Sequence, residues 1–153
     1  MDNKDKLILE ALQTNGRIAV SELAASLNMS DTPCLRRIRK LEQSGVITGY
    51  KGCVDETKLG YTVFIHAFVS LKNNSEAAGK AFEQEVSDIP HVMECSVIIG
   101  QHDYLLKVIA KDLAHYEQIL KKQIANLDSI AKIESTIVLK SVFRRTTIAA
   151  NQM

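Results

Sequence analysis

The sequence predicts an α+β chain in two parts, three short helices followed by a β-α-β-β-α-β unit. Three observations predict it. Apolar residues recur only at helical spacing up to about residue 45, and from residue 46 to 141 period-2 runs alternate with period-3.6 runs. Gly16, Asn28, Gly45 and Asn73-Asn74 punctuate the seams. The chain has 153 residues, 46% of them hydrophobic and 24% charged, and two prolines, which suits one ordinary domain or two very small ones and excludes wholesale disorder.

Asp5 or a neighbour starts the first helix, with Leu7, Ile8, Ala11 and Leu12 on one stripe and Gly16 just past its end as a C-cap. Ser21 is the expected N-cap of a short second helix carrying Leu23, Ala24 and Leu27. Asn28-Met29 breaks it, and Ser30 caps a third helix that tolerates Pro33 in its first turn, where the missing N–H has no partner to lose. Gly45 ends that helix. Residues 46–51 (Val-Ile-Thr-Gly-Tyr-Lys) are β-prone and read as a strand leading out of the unit. The arrangement is a helix-turn-helix of the winged type.

The third helix turns Cys34, Leu35, Ile38 and Leu41 towards its neighbours. Arg36 and Lys40 centre the opposite side, flanked by Thr32, Pro33, Arg37 and Arg39. Residues 30–45 hold four basic and two acidic side chains in a chain whose net charge is only +1. Such an arc is either a solvated face or a surface for the DNA major groove, where arginine pairs with guanine edges. The context of a tight turn between helices favours DNA. Ser30 and Thr32 suit capping as well as phosphate contact, and Arg17, just past the first helix, is within reach of a phosphate or simply solvated. A protein that coats nucleic acid indiscriminately needs far more positive charge than this chain has.

In the second half, Tyr61 to Leu71 alternates as a strand, with Val63, Ile65, Ala67, Val69 and Leu71 on one face and Phe64, His66, Phe68 and Ser70 on the other. Ser75 caps a helix with Ala78, Phe82 and Val86 in line. Met93, Cys95, Val97 and Ile99 alternate as a second strand, Gly100-Gln101-His102-Asp103 turns, and Tyr104 to Ala110 is a third. Asp112 caps an amphipathic helix running from Leu113 to Leu127, and Ile130 to Lys140 is the fourth strand. The order is that of a ferredoxin-like fold. Two helices cover one face of such a sheet, so the face bearing Phe64 and Phe68 is expected to pack on a second copy in a two-fold dimer. The expected divisions are residues 1–52, a hinge at 53–60, a regulatory domain at 61–141 and a tail at 142–153, in which Arg144 and Arg145 belong to an edge strand or an arm.

The N-terminus alternates charges without an apolar core segment, and the longest apolar stretch has 11 residues, about half of the ~20 a bilayer span needs. Three widely spaced cysteines, Cys34, Cys53 and Cys95, suit reduced thiols in a cytoplasm better than a disulfide or zinc framework.

The run Ser30-Asp31-Thr32-Pro33-Cys34-Leu35-Arg36-Arg37-Ile38-Arg39-Lys40-Leu41-Glu42, the segment Gly45–Tyr50 and the motif Gly100-x-x-Asp103-Tyr104 together resemble the leucine-responsive/asparagine regulator (Lrp/AsnC) family of bacterial transcription factors, nearest its leucine-responsive branch. The resemblance spans about residues 3 to 141. It implies a DNA-binding domain, a hinge and an amino-acid-sensing domain that dimerises and assembles further into octamers. It implies double-stranded DNA and a free amino acid (leucine, methionine or another small one) as partners, with no cofactor, metal or membrane. The Gly100–Tyr104 turn would then hold the effector, with Gly100 allowing close approach, turn amides facing its carboxylate and Asp103 facing its ammonium group. Tyr104 is core or pocket, and His102, Ser135 and Thr136 are further candidates. His102 stands where the family commonly has an aromatic residue, and Asn28 where it often has glycine.

The rival reading is an enzyme, a ferredoxin-like decarboxylase of the haem-pathway type acting on a tetrapyrrole. His66, His91, His102 and His115 show no metal-ligand spacing, and no P-loop, G-x-G-x-x-G or G-x-S-x-G motif is present.

Overall fold

A computed structural model describes residues 1–148. The chain divides into two units, residues 1–53 with 142–148 and residues 54–141.

The first unit holds α1 (Asn3–Thr14), α2 (Val20–Ser26) and α3 (Asp31–Gln43). Ile8, Leu23, Ala24, Cys34, Ile38 and Leu41 form its core, with Leu12, Val20, Met29 and Ile47 packed around it. α1 starts earlier than expected because Asp2 is its N-cap and makes a reciprocal capping box with Asp5. Gly16 is not the left-handed cap; the helix ends on extended Asn15. Ser21 does not cap α2. Ala19 does, with no side-chain bond, and starting there places Val20 in the first turn, against the core. Asn28 carries the turn at φ 51°, and the Met29 N–H reaches back to the Ala24 carbonyl at 2.9 Å. Ser30 holds the N-cap position of α3, but its hydroxyl makes no capping hydrogen bond.

Residues 46–51 form no strand. At left-handed Gly45 (φ 72°) the chain reverses, and the N–H groups of Val46 and Ile47 both donate to the Leu41 carbonyl, at 3.0 and 3.1 Å. The segment therefore wraps the end of α3, where Ile47 joins the core and the Tyr50 hydroxyl donates to Glu42 Oε1 at 3.0 Å. The start of the tail lies on this unit too: the Gln13 amide donates to the Ile148 carbonyl at 3.0 Å and accepts its N–H at 2.7 Å.

The second unit contains β1 (Val63–Leu71), α4 (Glu76–Ser87), β2 (Val92–Val97), β3 (Tyr104–Ala110), α5 (Leu113–Ile119) and β4 (Ile130–Ile137), with the antiparallel sheet ordered β2-β3-β1-β4. Ser75 and Asp112 cap their helices through the N–H groups of Ala78 and His115. Ile65, Ala67, Val69, Leu106, Val108, Phe82, Val86, Tyr116, Ile119 and Ile124 make one core between sheet and helices. β2 and β4 are the edges, and both stop short of their expected ends. β2 ends at Val97, and its apolar stripe of Met93 and Val97 is exposed; β4 ends at Ile137, leaving Leu139 in solvent. The long amphipathic helix also differs from expectation. After Ile119 it widens into a π-helical turn, Leu120–Ile124, closed by Ala125 N–H to the Leu120 carbonyl at 2.7 Å. The wider turn brings Ile124 onto the buried side with Tyr116 and Ile119, while Leu113 stays exposed.

Candidate nucleic-acid interface and ligand cleft

The buried stripe of α3 (Cys34, Ile38, Leu41) sets what its other side presents. Arg36, Arg39 and Lys40 are exposed there, with Ser30 and Thr32 exposed and Pro33 half-buried at the helix start. Arg17 is exposed in the loop after α1. Arg37 departs from the expected arc. Its Nη1 donates to Asp2 Oδ2 at 2.6 Å and to Asp5 Oδ1 at 2.7 Å. The Asp5 backbone N–H and the Arg37 guanidinium hold the Asp2 carboxyl below the usual aspartate range. Burial pushes the Asp5 carboxyl up, but the Asp2 backbone N–H and Arg37 overcome it and leave it lowered. Sequence reasoning missed this because the carboxylates lie a whole helix-turn-helix away along the chain.

The modest net charge conceals a strong partition. Residues 1–53 with 142–153 hold ten Lys/Arg against six Asp/Glu, a net +4, and residues 54–141 hold nine against twelve, a net −3. The positive charge is gathered on the helix-turn-helix unit, as a protein that meets phosphate with one surface requires.

In the second unit the Gly100–Tyr104 turn is stitched to β1. The Asp103 N–H donates to the Val69 carbonyl at 2.9 Å, and Asp103 Oδ2 accepts the Leu71 N–H at 2.8 Å. Tyr104 follows on the helix-covered face, buried against Phe82 at a ring separation of 4.7 Å, and its hydroxyl donates to Glu83 Oε1 at 2.9 Å. Burial first, and then Glu83, push its pKa up to about 12. Between this turn and α4 lies a cleft of about 350 Å³, lined by Leu71, Gly79, Lys80, Glu83, Val97 and Asp103 among others. Gly79, Lys80 and Glu83 were not identified from the sequence, although a lone glycine inside an amphipathic helix is a signal of close approach.

The other expected effector residues are not brought to this cleft. His102 lies across the open sheet face, its ring 5.5 Å from that of Phe68, Nδ1 3.2 Å from Ser70 Oγ and Nε2 3.3 Å from Glu134 Oε2. Its side chain is only 12% exposed. Thr136 pairs with His66 in register and so shares that open face. Ser135 pairs with Ala67 on the helix side, where its hydroxyl meets that of Tyr116 at 2.5 Å. Asp103 and Tyr104, which line the cleft, thus stand apart from His102, Ser135 and Thr136, while Gly100 (φ 156°) opens the turn without lining the cleft. Among the described residues no three His, Cys, Asp or Glu side chains gather as metal ligands, and no helix is long and apolar enough to cross a membrane.

A helix-turn-helix unit of net positive charge, followed by an α+β unit with a cleft beside a glycine turn, has the make-up of a DNA-binding regulator with a ligand-binding domain. Residues 1–48 match the winged helix-turn-helix DNA-binding family, and residues 62–148 match the Lrp/AsnC ligand binding domain. The Bkd operon transcriptional regulator of Pseudomonas aeruginosa is 37% identical over 95% of both chains. A leucine-responsive regulatory protein of Rhizobium meliloti is 34% identical over 93% of this chain and 91% of its own. A Neisseria meningitidis transcriptional regulator, solved as its L-Met complex, superposes with a TM-score of 0.94 at 27% identity, over 99% of this chain and 98% of the other. The chain belongs to the Lrp/AsnC family of transcriptional regulators. It is a regulator and not an enzyme, and the decarboxylase reading is set aside.

Proposed function

We propose that the chain reads operator DNA through α3 and alters its occupancy in response to a small free amino acid. The observation that carries the first part is the exposed trio Arg36, Arg39 and Lys40 on the one unit of net positive charge. These side chains meet base edges and phosphates in the major groove. Ser30, Thr32 and Pro33 lie at the phosphate-facing start of the helix, and Arg17 reaches a flanking phosphate. Ser30's hydroxyl, unused in capping, suits such a contact.

For the effector, the cleft beside Asp103 offers both polarities. Asp103 spends Oδ2 on the Leu71 N–H, and Oδ1 meets the ammonium group of the amino acid. Amides of the turn ahead of Asp103, whose own N–H is held by Val69, face its carboxylate, and Leu71, Val97 and Ile98 of the cleft suit an apolar side chain such as that of leucine or methionine. The L-Met complex of the Neisseria neighbour supports this class of ligand. His102 and Thr136 serve the open sheet face instead, where Phe64 and Phe68 pack on a second copy to form the homodimer that assembles towards an octamer in the cytoplasm.

Calorimetry with each of the twenty amino acids tests the effector. One or a few small apolar ones bind the wild type, and Asp103→Asn, which keeps an acceptor for the Leu71 N–H, binds them far more weakly. No heat with any of them, or undiminished binding by Asp103→Asn, overturns the assignment.

A further inference from the structure

The first turn of α1 grips the helix-turn-helix at two places. Lys4 Nζ donates to the carbonyl of Leu27, the residue before left-handed Asn28. On α3, Arg37 is held by both Asp2 and Asp5. Each of these carboxylates divides its oxygens. Asp2 Oδ1 accepts the Asp5 N–H at 3.0 Å and Oδ2 takes Arg37, while Asp5 Oδ2 accepts the Asp2 N–H at 3.0 Å and Oδ1 takes Arg37. The cap that begins α1 is therefore also the socket for a side chain of α3. Asp5 is the one buried charged residue among the described residues, 7% exposed.

We infer that Arg37 is a positioning residue for DNA reading: it locks α3 against α1 so that Arg36, Arg39 and Lys40 are presented together, and it makes no contact with the duplex. This rests on the proposal that α3 is the reading helix. To reach a phosphate, Arg37 would have to break two charge-assisted hydrogen bonds and strand the Asp5 carboxylate, buried and unpaired. Any phosphate following it would also approach two carboxylates. Arg36, one residue earlier and exposed, faces neither penalty.

The test uses the full chain and a duplex selected from a random-sequence library by the wild-type protein, with affinity measured against salt. Arg36→Ala weakens binding and makes the salt slope shallower by about one per chain, the signature of a lost phosphate contact. Arg37→Ala weakens binding by about fivefold with the slope unchanged, and Arg37→Lys recovers part of the loss. The decisive variant is Asp2→Asn/Asp5→Asn, which keeps the capping acceptors and leaves no buried carboxylate unpaired, with its fold verified by circular dichroism before binding is measured. Removing two negative charges beside a DNA-binding helix should tighten binding if Arg37 touches DNA, whereas a positioning role makes it weaken. Tighter or unchanged binding by the Asn pair, or a slope made shallower by Arg37→Ala, overturns the inference. Failure of Arg36→Ala, Arg39→Ala and Lys40→Ala to alter binding overturns the α3 proposal itself, a separate result.

Discussion

The Tyr104 hydroxyl occupies the place where a side chain on residue 79 would begin: a Cβ on Gly79 would lie 2.8 Å from it. Helix propensity alone favours alanine over glycine inside α4 by about 1 kcal/mol. Here the hydroxyl cannot easily retreat, because it is bonded to Glu83 and its ring packs against that of Phe82 at a tilt of 55°. Gly79→Ala is therefore expected to destabilise the chain by about 1–2 kcal/mol in urea unfolding, as overpacking does. Adding Tyr104→Phe, which removes the obstructing oxygen, recovers most of that loss even though the single Tyr104→Phe costs about 1 kcal/mol of hydrogen bonding. Additive effects would mean that the two residues do not compete for this space.

Acid is expected to loosen the first unit. Asp2 and Asp5 are both held below the ordinary aspartate value of 3.8 in the folded chain. A folded state that binds fewer protons than the unfolded chain loses stability as protons are supplied. The contribution is complete above the unfolded value of about 4 and is lost as pH falls through the lower folded values. Urea midpoints followed by circular dichroism should hold above about pH 5 and drop from there towards pH 3, and the drop should be smaller in Asp2→Asn/Asp5→Asn, which lacks both titrating groups. Parallel pH profiles would contradict the ion-pair account.

The proposed dimer has a definite salt response. A dimer that neutralises about six to ten phosphates should show log K falling with log salt at a slope of roughly −5 to −9. Filter binding or anisotropy over a salt series measures it. A slope near −2 would leave the basic arc of α3 with too few contacts to be the reading surface.

These expectations divide along the line between local and distant causes. The alternation Ile65, Ala67, Val69, the caps at Ser75 and Asp112 and the left-handed turn at Asn28 were legible because each depends on neighbours a few residues away. The exposed arc of α3 was legible for the same reason, since a buried stripe determines its opposite. Arg37 was not, because its partners lie on another helix. His102 was assigned to the effector turn by its position in the chain, but its ring crosses to the face of Phe68 and Ser70, a choice made by contacts with β1 and β4. Residues 46–51 have strand composition but no partner strand among the described residues. The nearest acceptor for their first N–H groups, the Leu41 carbonyl, takes them instead.

The paired hydrogen bonds between the Gln13 amide and the Ile148 backbone hold the segment beyond Arg144 and Arg145 against α1. Gln13→Ala removes both. Trypsin should then cut after Arg144 or Arg145 several-fold faster, with cleavage elsewhere unchanged, because proteolysis follows the open population of the local segment. Equal cleavage rates in the two proteins would show that these bonds do not restrain the tail.

The π-helical turn at Leu120–Ile124 is expected to be removable without disturbing the core. Such a turn is equivalent to an α-helix carrying one extra residue. Ile119 and Ile124 are both fully buried but five positions apart, a spacing that an α-helix would spread over different sides, whereas four positions share one side. Lys122 is exposed on the bulged turn and contributes nothing to that core. Deleting Lys122 shortens the spacing to four and lets the regular hydrogen-bond ladder of α5 continue to Ile124. The deletion variant is expected to fold with a stability within about 1 kcal/mol of wild type, which an indel inside a helix seldom permits. Thermal melting by circular dichroism checks it: a cooperative transition near the wild-type Tm is the expected result. A collapsed Tm would show that the core depends on the wider turn itself and not merely on the side to which it returns Ile124.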